Sequence, residues 1–295
     1  MFPKNAWYVA CTPDELAGNP LGRRICDEPM VFYRGEDGRV AALEDFCPHR
    51  GAPLSLGFVE DGVLVCGYHG LVMGEEGKTV SMPGQRVGGF PCIKRFAVEE
   101  RYGFIWVWPG DQAQADTAKI HHLEWAQNPD WAYGGGLYHI QADYRLMIDN
   151  LMDLTHETYV HATSIGQPEI DETPCSTRTE GDQVVTSRFM NGIQAPPFWK
   201  MAMRANGLDD SATVDRWQIC RFSLPSHVMI EVGVASPMAQ GQAMISTATP
   251  AATAKNRLSP ASSQPKKVST DRVITTGTKT AEMRSASACT GALPV

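Results

Sequence analysis

The sequence predicts an α+β chain, and three observations carry that expectation. Short β-like runs separated by turn residues fill positions 6–109, one helical period followed by longer strand-like runs fills 137–235, and 236–295 contains no aromatic residue. A chain of 295 residues, 43% of them hydrophobic, is long enough for two ordinary cores.

Taken in order, Met30–Tyr33, Val40–Leu43, Val63–Cys66 and Phe104–Trp108 are rich in β-branched and aromatic residues. Turn residues lie between them, at Gly35–Gly38, Glu60-Asp61-Gly62 and Gly74–Gly77, so residues 1–110 are expected to form a small antiparallel β domain. A polar connector (111–136) follows and ends in Gly134-Gly135-Gly136. In the next unit, 137–235, Tyr144–Ile148 leads into Asn150–Val160, where apolar residues at 147, 148, 151, 152 and 154 predict a helix. Val184–Met190, Arg216–Phe222 and Val228–Ala235 have strand composition, giving antiparallel sheet beside that helix.

The last stretch, Ser236–Val295, differs in kind. Ser, Thr and Ala supply 28 of its 60 residues, and it is net +5 while residues 1–235 are net −12. No helical or strand period persists, and the apolar area is too small to offset the entropy of ordering, so disorder is expected. The abrupt change after Ala235 is read as a shifted reading frame or a divergent truncation.

Composition excludes several functions. A formal net charge of −7 with no basic stripe argues against nucleic-acid binding. No apolar run reaches the roughly 18 residues needed to span a bilayer, and Met1 to Cys11 lacks a signal-peptide layout, so no membrane partner and a cytoplasmic location are expected. Eight cysteines are too sparse for a disulfide scaffold.

Four residues carry the strongest signal. Cys47-Pro48-His49 and Cys66-Gly67-Tyr68-His69 form C-x-H and C-x2-H with sixteen residues between them, each flanked by Pro or Gly. Two thiolates on one iron and two imidazoles on the other suit a [2Fe–2S] cluster. Zinc is the rival, yet its usual order keeps cysteines and histidines in separate pairs. Here each loop offers one of each.

A second pattern is D-x2-H-x4-H, in Asp153, His156 and His161. On an unbroken helix five residues turn about 500°, which leaves the imidazoles about 140° apart. They share a metal only if the helix ends or bulges between them.

The motifs Cys47-Pro48-His49-Arg50-Gly51 and Cys66-Gly67-Tyr68-His69-Gly70 resemble the Rieske centre of aromatic-ring oxygenases. Ala52 and Tyr68 stand where respiratory Rieske proteins carry their extra cysteines. The likeness covers about residues 1–235. Through Phe2–Ala10, Gly84-Gln85-Arg86, Arg101–Pro109 and Gly134–His139 it is closest to the subgroup that O-demethylates vanillate.

The resemblance implies a Rieske [2Fe–2S] domain followed by a helix-grip catalytic domain, altered at its end. It implies that Cys47, His49, Cys66 and His69 hold the cluster, and that His156 and His161 hold a mononuclear Fe(II). It further implies that Asp153 bridges an iron-ligating histidine and a cluster histidine of the neighbouring subunit in a homotrimer, with Asn150 supporting it. Electrons would come from NADH through a flavin/iron–sulfur reductase, and a small methoxy aromatic acid and O2 would yield protocatechuate and formaldehyde. The family's third iron ligand, an aspartate far downstream, is not assigned: the tail's only aspartate, Asp271, lies in unlike surroundings. The competing functions are a Rieske-type electron carrier and an inactive oxygenase without a complete iron site.

Other residues receive plainer expectations. His121-His122 is read as surface loop, and His139 and His227 as core or hydrogen-bonded histidines. Cys11, Cys26, Cys92, Cys175 and Cys220 are read as free buried thiols. Trp106 and Trp108 are read as packing. No dinucleotide fingerprint occurs, which fits NADH being handled by a partner.

Overall fold

The computed structural model describes residues 2–123, 126, 138 and 140–237, and the backbone alone at 245–252 and 278–280. The N-terminal strands are β1 (Tyr8–Cys11), β2 (Leu21–Ile25), β3 (Glu28–Arg34), β4 (Val40–Glu44), β5 (Phe58–Glu60), β6 (Val63–Val65), β7 (Val72–Met73), β8 (Thr79–Ser81), β9 (Arg95–Arg101) and β10 (Phe104–Trp108). Six make an antiparallel sheet in the order β1-β10-β9-β4-β3-β2, and β5 to β8 make a smaller one in chain order.

The period of two in these strands sorts side chains into separate cores. Met30 and Phe32 of β3 join Ala42, Ile105 and Val107 on one face. Val31, Tyr33 and Leu43 turn to the other face, against Leu54, Leu64, Leu71 and Met73 of the smaller sheet and its loops. Cys47 and Cys66 belong to this second core. Strand β10 is buried on both sides: Trp106 and Trp108 pack with Trp7, Ile120 and Leu123. The tryptophans are packing residues, and the start of the expected connector is part of a core.

The loop before β5 is tightly constrained. A Cβ on Gly57 would overlap the Val65 carbonyl oxygen. Gly57→Ala is therefore expected to cost about 1–3 kcal/mol. The loss should appear as a lower denaturation midpoint, and an unchanged midpoint would show that the hairpin relaxes freely.

The second half holds helices α1 (Tyr144–Met152), α2 (Glu157–Val160), α3 (Glu169–Glu172) and α4 (Pro197–Ala205). Its strands are β11 (Ser176–Glu180), β12 (Gln183–Gln194), β13 (Thr213–Ser223), β14 (His227–Ala235), β15 (Ile245–Ala252) and β16 (Thr278–Thr280). They form one antiparallel sheet in chain order. Trp199 and Met203 of α4 cover Ala195, Val214 and Val234.

Several expectations need correction. The single helix over Asn150–Val160 is two pieces, because Asp153 leaves the helical region (φ −85°, ψ 113°) and its carboxylate accepts the Thr155 amide at 2.7 Å. That local bond competes with helix continuation. Strands β15 and β16 lie in the stretch expected to lack regular structure: β14 offers an open edge, and ladder bonds need no apolar period. The remainder of 236–295, Asp271 included, lies outside the described residues, as do Gly134–Gly136 and His139. Finally, Cys92 and Cys175 are exposed, whereas Cys11, Cys26 and Cys220 are buried.

The two halves meet around histidines. His227, at the start of β14, shares a hydrogen bond of 3.1 Å with the Trp7 carbonyl, and its ring lies 5.4 Å from Trp106. His121 stacks on it at 5.6 Å, so His121 is a junction residue rather than surface loop. Its Nε2 is buried, whereas His122 is exposed.

Burial, followed by the neighbouring His121, pushes the His227 pKa down to about 4. The unfolded group titrates near 6.5, so between these values the unfolded chain binds the extra proton. This contribution to stability is complete above about pH 6.5 and declines as the pH falls toward 4. Thermal melts across that range should show the decline, and His227→Phe should flatten it. A slope unaffected by the substitution would remove His227 as its cause.

Candidate metal centres

Two loops of one design carry the first candidate centre. In the first, the Cys47 amide donates to the Ala52 carbonyl at 2.8 Å and the Gly51 amide to the Cys47 carbonyl at 2.8 Å. In the second, the Cys66 amide donates to Leu71 at 2.8 Å and the Gly70 amide to Cys66 at 3.0 Å. Each turn closes through a glycine with positive φ, 73° at Gly51 and 70° at Gly70. The histidines differ in offset, at the second residue after Cys47 and the third after Cys66.

This geometry brings like donors together. The Cys47 thiol lies beside that of Cys66, both buried, and the rings of His49 and His69 are 4.6 Å apart at 70°. His69 is exposed at the tip. Burial first, and the Cys66 contact after the local backbone bonds, push the Cys47 thiol up; desolvation followed by His69 holds the His49 imidazole down. His49 Nδ1 is buried without a hydrogen-bond partner. A neutral imidazole with an unpartnered nitrogen is ready to bind a metal.

Among the described residues, no three His, Cys, Asp or Glu side chains converge on a single-ion position. A sulfur pair beside a nitrogen pair, without convergence, suits a two-iron cluster better than tetrahedral zinc.

The second candidate centre lies where the helix breaks. His156 caps the start of α2 and His161 follows its end, which places their rings 5.2 Å apart at 61°. The turn between them is helical but ends at Val160, and His161 leaves the helical path (φ −113°, ψ 27°), so the rings pair despite the five-residue spacing. Asp153 Oδ2 is 3.4 Å from His156 Nδ1, a buried nitrogen with no hydrogen-bond partner. Bonds from the Thr155 hydroxyl and amide, and then the neighbouring His156, hold the Asp153 carboxyl below its usual range. Asn150 is exposed on the last turn of α1. Two histidines with an ionised carboxylate behind one of them can hold and orient a mononuclear metal.

Sequence reasoning missed the layer beneath. Glu157, next to His156, turns into the sheet and accepts both bonds of the Gln218 amide, at 2.8 and 2.7 Å, with Arg216 Nη2 at 3.3 Å. Arg216 Nη1 donates to the Ile165 carbonyl at 3.0 Å and to Gln167 at 2.8 Å. Arg188 donates to the Leu154 carbonyl at 2.6 Å and to Gln218 Oε1 at 3.3 Å. Burial pushes the Arg216 pKa down to about 10, with Glu157 opposing the shift, so the guanidinium remains charged near neutrality. The available signal was polar residues at core positions of an alternating strand, Val214, Arg216, Gln218 and Cys220.

Comparison with known proteins agrees with both halves. Residues 6–96 match the Rieske [2Fe–2S] domain, and 140–276 match the vanillate O-demethylase oxygenase C-terminal domain. The second match runs past Ala235, where the likeness read from the sequence stops. The chain is 78% identical over 235 residues to a vanillate O-demethylase oxygenase subunit from a Pseudomonas species, covering 80% of this chain and 66% of that protein. It is 38% identical over 239 residues to the oxygenase component of dicamba O-demethylase from Stenotrophomonas maltophilia, covering 79% and 68%. A crystal structure of dicamba monooxygenase bound to 3,6-dichlorosalicylic acid superposes with TM-score 0.81 at 31% identity, covering 95% of this chain and 79% of that one. No described helix is long and apolar enough to cross a membrane.

Proposed function

The chain belongs to the Rieske oxygenase family, and from that premise we propose that it is the terminal oxygenase of an O-demethylating system. The substrate in this reading is a small methoxy aromatic acid, vanillate in the first instance, since the relative of highest quoted identity is named for that compound. One methyl C–H is hydroxylated using O2, two electrons and two protons, with loss of water. The resulting hemiacetal collapses to a phenol, protocatechuate from vanillate, and formaldehyde. The electrons derive from NADH through a flavin/iron–sulfur reductase.

The observation that carries the proposal is the pairing of the His156 and His161 rings, 5.2 Å apart across the single turn of α2, with the Asp153 carboxylate set against His156. In this assignment Cys47 and Cys66 hold one iron of the cluster, His49 and His69 the other, and His156 and His161 the lone iron. When bound, these groups would supply one-electron transfer and the reduction of O2. The protein's residues do the rest. The two loops keep the thiols dry within the intersheet core while His69 reaches the surface. Asp153 stays ionised and orients His156, and as a bridge it would meet a cluster histidine of the next subunit in a trimer. A carrier needs only the first domain, so the second speaks for an oxygenase.

Formaldehyde release with vanillate, NADH and a competent reductase tests the reading. One formaldehyde per NADH consumed is expected. An intact cluster with no product would favour the inactive alternative.

A further inference from the structure

Helix α2 is a single turn, too short to hold its own place. Something else must fix the angle at which His156 and His161 face each other. The apolar cover is slight, since Tyr159 and Val160 are exposed and Glu157 is the buried residue of the turn. We propose that Glu157, Gln218, Arg188 and Arg216 form a positioning clamp that sets the geometry of the two-histidine site. The inference rests on the assignment of His156 and His161 as iron ligands.

The clamp takes hold at points flanking both histidines. Before His156, Arg188 holds the Leu154 carbonyl, and directly after it Gln218 and Arg216 hold the Glu157 carboxylate. Beyond His161, Arg216 holds the Ile165 carbonyl. The anchoring side chains share one sheet face. Arg188 of β12 stands opposite Gln218 of β13 in the ladder, and Arg216 lies two residues from Gln218.

Gln218 acts as a relay. Its Oε1 accepts from Arg188 and its Nε2 donates to Glu157, so the amide can adopt only one orientation. Apolar packing would stabilise a one-turn helix as well, but would let it slide and rotate. Directional, charge-assisted bonds do not. Burying such ions adds little net stability, and fixing one arrangement is the best-attested use for them. Because Glu157 is fully engaged by the sheet, it is an anchor and not the third metal ligand.

The test uses the full chain with its cluster loaded, freed of other metal by a chelator and titrated with Co(II). Visible absorption reports both the affinity and the coordination of the lone site. Glu157→Gln sets two amides face to face, and Co(II) binding should weaken by about 10- to 100-fold. The [2Fe–2S] spectrum should stay unchanged. Gln218→Glu added to that variant puts the carboxylate on the sheet side, still beside Arg188 and Arg216, and should recover most of the affinity. A general loss of structure would not be rescued this way.

If Glu157→Gln does not fold, Gln218→Met, which removes the relay without opposing amides, should show the same weakening. Co(II) bound with unchanged affinity and spectrum in a folded variant overturns the clamp. Absence of binding in the unsubstituted chain, or equal binding in His156→Ala, overturns the ligand assignment instead.

Discussion

Replacing His69 with alanine is expected to strip the [2Fe–2S] centre from the chain while leaving the fold in place. His69 is exposed, its ring 4.6 Å from that of His49, so its loss removes one nitrogen from the pair without opening the core. The thiols of Cys47 and Cys66 remain packed among Leu54, Leu64, Leu71 and Met73, where a free thiol behaves as a small apolar group. Visible absorption and the electron-spin signal of the reduced cluster should vanish, and bound iron should fall by about two per chain. Far-ultraviolet circular dichroism should hold. A variant that kept both signals would take His69 out of the centre.

Asp153→Ala is expected to do the opposite: both metals load and turnover stops. The carboxylate contacts His156 from behind, 3.4 Å from Nδ1, and is kept ionised by Thr155. Its removal leaves both imidazoles present, so metal content should change little. What is lost is the orientation of one histidine and the proposed bridge to a neighbouring cluster. Formaldehyde release should drop by about 100-fold or more. A reductase should still bleach the cluster, and adding substrate should no longer bring the colour back at the normal rate. Ordinary turnover by this variant would mean that the bridge is not Asp153.

These outcomes follow from features unequally visible in the sequence. The cluster loops were legible because C-x-H and C-x2-H sit among prolines and glycines, and the structure folds both into the same hydrogen-bonded turn. The β strands of the first domain were legible because alternation separates Met30 and Phe32 from Val31 and Tyr33, and those pairs face different cores.

The end of the helix before His156 is not legible, because apolar spacing does not register a break made by one carboxylate bonding two residues ahead. That break sets Asp153 behind His156, while the histidines pair because α2 ends at Val160, before His161. The clamp was missed for a related reason: Arg188, Arg216 and Gln218 resemble surface residues until the sheet register places them beneath α2. His121 was misplaced because its burial depends on His227, 106 positions later, and local pattern carries no information about such a contact. Strand β15 pairs through its backbone, to which side-chain composition is a poor guide.

A chain that holds both a thiolate–imidazole cluster and a separate lone iron must carry more iron than sulfide. Iron and acid-labile sulfide, measured on protein purified without oxygen, test it most directly. About three irons and two sulfides per chain are expected, falling to two irons in His156→Ala with sulfide unchanged. Two irons in the unsubstituted chain, or zinc without sulfide, would contradict it.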